Sequence, residues 1–113
     1  MTLLRHIKVG NRQYQIASLD EKEFNSKLEA LEVCLSDIKQ AKSFIDYDDQ
    51  VICVRKCLKA DHKQELVLHE LLHACLEDAG VEQSDATETF IHVLSPRLSA
   101  LMSEIKFSLD ILE

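Results

Sequence analysis

Residues 65–76 read Glu-Leu-Val-Leu-His-Glu-Leu-Leu-His-Ala-Cys-Leu, an apolar run interrupted by His69, Glu70 and His73. A run of this length and composition predicts a helix that is buried on most sides. Histidines four residues apart share one face of a helix with about 3.6 residues per turn, so their imidazoles can meet at one metal ion. The stretch therefore predicts a metal site on a central helix.

The spacing H-E-x-x-H adds a chemical role to each of these side chains. In this motif the two histidines bind zinc, and the glutamate acts as general base toward a metal-bound water. The sequence thus predicts Zn²⁺ as cofactor, His69 and His73 as ligands and Glu70 as the catalytic base. The plainer interpretation is an ordinary core helix with two histidines and a glutamate on its partly exposed face.

A catalytic zinc needs a third protein ligand besides the two histidines. Metzincins place a histidine six residues after the second motif histidine, and Ala79 at that position excludes them. Gluzincins use a glutamate on the following helix, which favours Glu88 as the third metal ligand. Three rivals stay open at this point, and they are Glu82, Asp85 and His92. Glu88 also has a structural alternative, since it can close a capping box with Asp85.

Peptide hydrolysis also needs a donor for the developing oxyanion and a place for the substrate. His92, one helical turn beyond Glu88, is the predicted catalytic donor, and Tyr47 and Arg97 are further candidates. An edge of the predicted strand at residues 51–55 is expected to hold an extended peptide by strand addition.

The rest of the chain predicts two hairpins and a long first helix. Gly10-Asn11 is a two-residue turn signal between strands at residues 3–9 and 12–17. Residues 44–54 form a second hairpin around Asp48-Asp49. Between the hairpins, Asp20 and Glu23 form a capping box, and apolar residues at helical spacing predict a helix over residues 21–42.

Capping signals divide the second half of the chain into helices. Asp61 is expected to cap the metal helix, which ends near Ala79 before Gly80. Another helix opens at Ser84 or Asp85, and Ser95-Pro96 is expected to begin a last helix whose residues 98–112 carry an apolar seam. The predicted fold is α+β: a small antiparallel sheet of β-hairpins packed on three to four helices, with a central HExxH metal helix, a minimal zincin-like domain.

Size and charge narrow the class of protein. At 113 residues with 46% hydrophobic residues, the chain predicts a single domain spanning residues 1–113. The formal net charge of −7 argues against a nucleic-acid partner, because phosphate binding depends on Lys and Arg. We see neither a long apolar span nor an export signal, so we expect no membrane partner and a cytoplasmic location.

The region from Ile45 to Leu94 resembles small phage and prophage proteins grouped with the ImmA/IrrE-type metallopeptidases. The similarity lies in the hairpin at Ile45-Asp46-Tyr47-Asp48, the apolar lead-in to H-E-x-x-H, the acidic helix with Glu88 and Phe90, and the ending Leu94-Ser95-Pro96-Arg97-Leu98. One departure is Leu72, where the family often has glycine.

This resemblance implies a compact α+β domain that binds zinc through His69, His73 and Glu88, with Glu70 as general base. It also implies peptidase activity against a regulatory protein such as a phage repressor, in the cytoplasm of a bacterial host.

Two further hypotheses stand beside a zinc-dependent peptidase that acts on a protein or peptide. In one, the protein is catalytically inactive, the zinc only stabilises its fold, and the acidic surface binds a host protein as an inhibitor or regulator. In the other, the 98–112 helix forms a homodimer through its apolar seam.

Overall fold

The computed structural model describes the backbone of residues 2–112 and the side chains of residues 6–34 and 37–105. The described chain is an α+β structure with a four-stranded mixed sheet. Its elements in chain order are β1 (Thr2–Val9), β2 (Arg12–Leu19), α1 (Glu21–Ala30), α2 (Leu35–Gln40), β3 (Ser43–Asp46), β4 (Val51–Arg55), α3 (Ala60–Asp78) and α4 (Asp85–Leu112).

Both predicted hairpins are present. β1 and β2 pair antiparallel around Gly10, whose φ of 60° is the left-handed conformation that glycine adopts easily. β3 and β4 also pair antiparallel, and the Asp46 carboxylate accepts hydrogen bonds from the amides of Asp48 and Asp49 in the turn between them. The turn chemistry read from Asp48-Asp49 is therefore confirmed.

The prediction of an antiparallel sheet is wrong at the junction of the hairpins. The strand order is β1-β2-β4-β3, and β2 pairs with β4 in parallel, with Gln15 opposite Val51. Helices α1 and α2 carry the chain away from β2, and β3 then reverses it, so β4 returns in the direction of β2. The sheet is mixed because a helical crossover joins the two hairpins.

Apolar side chains cover both faces of the sheet. On one face Cys53 packs in a cluster with Phe24 and Leu28 of α1. On the other face Ile52 packs in a cluster with Ala74 of α3. The uninterrupted apolar run of β4 fits this position, because successive side chains of a strand point to opposite faces and both are buried here.

Strand β4 is not an edge of the sheet. It pairs with β2 on one side and β3 on the other, so the predicted free edge at residues 51–55 is wrong. The outer strand beside β4 is β3, which also packs against α3. Any strand added at this end of the sheet has to pair with β3.

The predicted helix over residues 21–42 is two helices. The side chain of Asp20 caps α1 as expected, accepting from the Glu23 amide at 2.8 Å. The helix then ends at Leu31, and Glu32 adopts a φ of 62° while the Val33 amide donates to the Leu28 carbonyl. These bonds form a Schellman ending, which more commonly has glycine at the left-handed position.

The H-E-x-x-H sequence lies within α3, as predicted. The helix begins at Ala60 after Lys59, so Asp61 is inside its first turn and is not the cap; its carboxylate accepts from the amide of His62. The C-terminal end of α3 is as predicted: Gly80 has a φ of 72°, and the Val81 amide donates to the Leu76 carbonyl.

Helix α4 runs through Ser95-Pro96, so the predicted division into two helices is wrong. Proline has no amide hydrogen, which leaves the His92 carbonyl without its helical donor. On either side of that carbonyl, Ser95 Oγ donates to the Ile91 carbonyl at 2.6 Å and Arg97 Nη1 to the Val93 carbonyl at 2.7 Å. These side-chain bonds help the helix continue past the proline.

The described side chains include part of the predicted apolar seam of residues 98–112. Leu98, Leu101 and Ile105 lie on α4 among the described side chains, whereas the side chains of Leu109 and Leu112 lie outside them. Among the described residues, we find no helix with the length and apolarity to cross a bilayer.

Candidate metal centre

The two motif histidines meet the carboxylate of Glu88. Nε2 of His69 lies 3.0 Å from Oε1 of Glu88, and Nε2 of His73 lies 2.6 Å from Oε2. The two imidazole centroids are 5.0 Å apart. One carboxylate from α4 thus contacts both imidazoles of α3, one with each of its oxygens.

The connection between α3 and α4 explains why Glu88 reaches the histidines. The turn at Gly80 reverses the chain, and α4 then packs against α3. At the start of α4, Ser84 and Thr87 cap the helix reciprocally: the Thr87 amide donates to Ser84 Oγ at 3.4 Å and the Ser84 amide to Thr87 Oγ1 at 3.3 Å. Thr87 takes the capping-box position, which leaves the carboxylate of Glu88 available for the imidazoles.

Glu70 lies beside the histidine pair, against strand β3 of the sheet. Its side chain is 7% exposed, and Oε2 accepts a hydrogen bond from Ser43 Oγ of β3 at 2.7 Å. Burial raises the pKa of this carboxyl, and the Ser43 bond and the two histidines oppose that increase. One ligand atom each from His69, Glu70 and His73 lies within 4.8 Å of the others, so this group can hold a metal ion.

Polar contacts at Nδ1 orient the imidazole ring of His73. Its Nδ1 is hydrogen-bonded to Oε1 of Gln83 in the α3–α4 connection, and Nε2 of Gln83 donates to the hydroxyl of Tyr47 at 3.4 Å. Burial raises the pKa of the Tyr47 phenol, so the hydroxyl stays a neutral partner. An outer bond at Nδ1 fixes the tautomer and ring orientation of a metal-binding histidine and leaves Nε2 as the ligand atom.

The other predicted site residues lie around this cluster. His92 is exposed, and its ring centroid is 6.4 Å from that of His69. Glu82 and Asp85 are exposed in the connection and at the helix start. Arg97 bonds the Val93 carbonyl and lies nine residues beyond Glu88, about 13 Å along the helix axis.

Ser43 and Gln83 belong to the site but were not predicted from the sequence. Ser43 is 27 residues from Glu70, and no local pattern links them. Gln83 stands between Glu82 and Ser84, and its neutral amide does not match the carboxylate pattern of a third metal ligand. The signal that would have found it is the need of a ligating histidine for a partner at its second nitrogen.

Comparisons of the chain with protein-family models, with curated proteins and with solved structures found no match.

Proposed function

We propose that this protein is a zinc-dependent hydrolase that cleaves a peptide bond. The observation that carries the proposal is the grouping of His69, Glu70 and His73, with the Glu88 carboxylate in contact with both Nε2 atoms. A carboxylate next to two histidines is the arrangement by which an H-E-x-x-H site activates a metal-bound water. We also infer that α3 and the start of α4 form a zincin-like unit, as in the ImmA/IrrE-type metallopeptidases that the chain resembles.

The donor types fit zinc. Imidazole nitrogen and carboxylate oxygen are ligands that Zn²⁺ takes in catalytic sites with two histidines and a glutamate. Glu88 is the better third ligand because its two oxygens contact both histidines. Glu70, by contrast, has Oε2 engaged with Ser43. We therefore assign His69, His73 and Glu88 as ligands and leave Glu70 for proton transfer.

Zinc, when bound, supplies an acidified water and polarises the substrate carbonyl. Glu70 then accepts the proton as the nucleophile attacks, and later delivers it to the leaving amine. Burial raises the pKa of Glu70, which brings a carboxylate closer to the range of an effective base. Ser43 holds one oxygen of Glu70 and so leaves the other to face the reacting water. His92, beside His69, is our candidate donor toward the oxyanion.

The substrate is proposed to be an extended peptide that pairs with the outer edge of β3. This strand borders the sheet next to α3, and its Ser43 contacts Glu70 directly. Strand addition there carries the peptide backbone past the catalytic carboxylate. The substrate is thus expected to be an unstructured segment of a protein, since a folded segment has no free strand to add.

The experiment has two parts, both on the full chain. Elemental analysis should find zinc in the purified protein, and cleavage of unfolded casein and of a quenched-fluorescent peptide library should depend on that zinc. Glu70→Gln keeps the acceptor for Ser43 and the shape of the side chain but removes the base. We expect this variant to bind zinc normally and to lose cleavage by at least about 100-fold. Bound zinc together with cleavage that Glu70→Gln leaves unchanged would contradict the proposal.

A second candidate is a zinc-stapled binding protein without activity. The hydrogen bond between Ser43 and the buried carboxylate of Glu70 favours it, because this contact joins α3 to β3 and has a structural use of its own. Partner capture by such a module would survive Glu70→Gln and fail in His69→Ala. Loss of biological function in a folded, zinc-loaded Glu70→Gln protein would exclude this candidate.

A further inference from the structure

Helix α4 carries a line of apolar side chains that the described part of the chain covers only partly. Leu94, Leu98, Leu101 and Ile105, here called the α4 stripe, are spaced by four, three and four residues. The first two are half-buried, whereas Leu101 is 53% and Ile105 50% exposed. Alternating steps of four and three residues are typical of the apolar positions of a heptad, which form the seam of a paired helix. Among the described side chains, α3 covers the buried face of α4 and part of Leu94, and it leaves Leu101 and Ile105 exposed.

Opposite charges flank the stripe at equivalent heptad positions. Arg97 immediately precedes Leu98, and Glu104 immediately precedes Ile105. Both side chains are exposed. In an antiparallel helix pair, residues at this position of one helix lie beside the same position of the other. A second copy of the chain therefore offers Glu104 to Arg97 and Arg97 to Glu104.

We propose that α4 pairs antiparallel with α4 of a second copy, around a two-fold axis between Ser99 and Ala100. In this register Leu98 lies opposite Leu101 of the second copy, and Leu94 lies opposite Ile105. The same register forms the Arg97–Glu104 pair twice. Apolar spacing and charge order thus select one alignment, and a two-fold contact of this kind closes on itself.

The surface beside the stripe extends the apolar contact onto α3. A groove of about 360 Å³ between α3 and α4 is lined mainly by apolar side chains, among them Leu72, Leu76, Phe90 and Leu94. Phe90 at its rim is 63% exposed. Leu94 belongs to both the groove and the stripe, so Ile105 of the second copy reaches the groove in the proposed register. Exposed apolar area that is continuous in this way marks an interaction surface.

The test is the mass of the full chain in solution, measured by sedimentation equilibrium over a range of concentrations, with and without zinc. We expect a reversible dimer in both conditions, because the stripe does not involve the metal ligands. Leu101→Asp should abolish dimerisation without loss of helical circular dichroism. Val93→Asp is the matched control, since Val93 is an exposed apolar residue of the same helix outside the stripe; this variant should still dimerise.

Charge exchange tests the alignment itself. Arg97→Glu and Glu104→Arg should each weaken the dimer by about ten-fold or more, because each change creates two like-charge pairs across the axis. The double variant Arg97→Glu with Glu104→Arg should restore the affinity. A parallel pair does not bring these positions together and would show no rescue. A wild-type chain that stays monomeric at every concentration, or a double variant without rescue, overturns the proposal.

Discussion

The two sides of the histidine pair are built in different ways. On the sheet side, Glu70 is 7% exposed and is held by Ser43 of β3. On the α4 side, Glu88 is 55% exposed, and its carboxylate contacts the imidazoles of His69 and His73. A carboxylate of the same chemical type is thus buried by the sheet on one side and lies at the surface on the other.

The difference indicates what assembles each side. A buried carboxylate needs hydrogen bonds from the protein, so folding itself fixes Glu70. Even a fully charged pair at the surface contributes only about 0–1 kcal/mol to stability, so the metal-free contact of Glu88 with the imidazoles stabilises the fold little. We infer that the sheet side is preformed and that the α4 side is completed by the metal. The following variants test this division, beginning with the largest expected effect.

Removal of one histidine should eliminate the metal. His69→Ala takes away a ligand common to every arrangement of the site, and we expect zinc to fall to background in elemental analysis of the purified protein. His62→Ala, a histidine on the same helix outside the cluster, serves as the control and should retain zinc. Equal zinc content in the two variants would contradict a site on His69.

Glu88→Ala should separate metal affinity from metal-free stability. We expect zinc affinity to fall by at least about 100-fold, while the free energy of unfolding without metal changes by less than about 0.5 kcal/mol. Competition with a chelating dye measures the first quantity and urea denaturation the second. Glu82→Ala, in the adjacent connection, should alter neither. A large loss of metal-free stability in Glu88→Ala would mean that folding, and not the metal, assembles the α4 side.

Gln83→Ala should have an intermediate effect on affinity. Loss of the bond to Nδ1 frees the ring of His73, and changes to such outer partners typically cost about 10- to 100-fold in metal affinity. Gln83→Glu keeps an acceptor at this position and should recover most of the affinity. An affinity unchanged in Gln83→Ala would show that the Tyr47–Gln83 contacts do not orient the ligand.

Ser43→Ala should act on the sheet side alone. Loss of the Ser43 hydroxyl leaves the buried Glu70 carboxylate without its hydrogen-bond donor, which typically costs about 1–3 kcal/mol of stability. Urea denaturation of the metal-free protein measures the loss, and zinc affinity should change by less than in Gln83→Ala. Ser43→Thr retains the hydroxyl and suits a strand, so it should be near wild type. A Ser43→Ala protein with the same free energy of unfolding as wild type would show that this hydrogen bond does not hold Glu70 in place before metal binds.

Two helix endings show how much of the fold could be predicted. Both α1 and α3 end in the same hydrogen-bonding motif. At α3 the left-handed residue is Gly80, and the sequence predicted the ending. At α1 it is Glu32, which has a side chain that disfavours this conformation, so the ending was missed. The ending of a helix can be predicted where the residue type matches the backbone conformation, and it is missed where the residue type does not.

The same limit applies to the site. His69, Glu70 and His73 lie within one helical turn, where spacing alone brings them together. Glu88 was predicted as one of four candidates because a short turn returns α4 to α3. Ser43 depends on the parallel pairing of β2 with β4, which places β3 at the sheet edge beside α3. Sequence spacing carries no information on that pairing.

The most direct test is a crystal structure of the zinc-loaded protein, with anomalous diffraction recorded on both sides of the zinc edge. We predict one anomalous peak about 2.0–2.2 Å from Nε2 of His69, Nε2 of His73 and a carboxylate oxygen of Glu88, with Glu70 still bonded to Ser43. A peak that is coordinated by Glu70 in place of Glu88, or the absence of a peak at the histidine pair, would contradict this prediction.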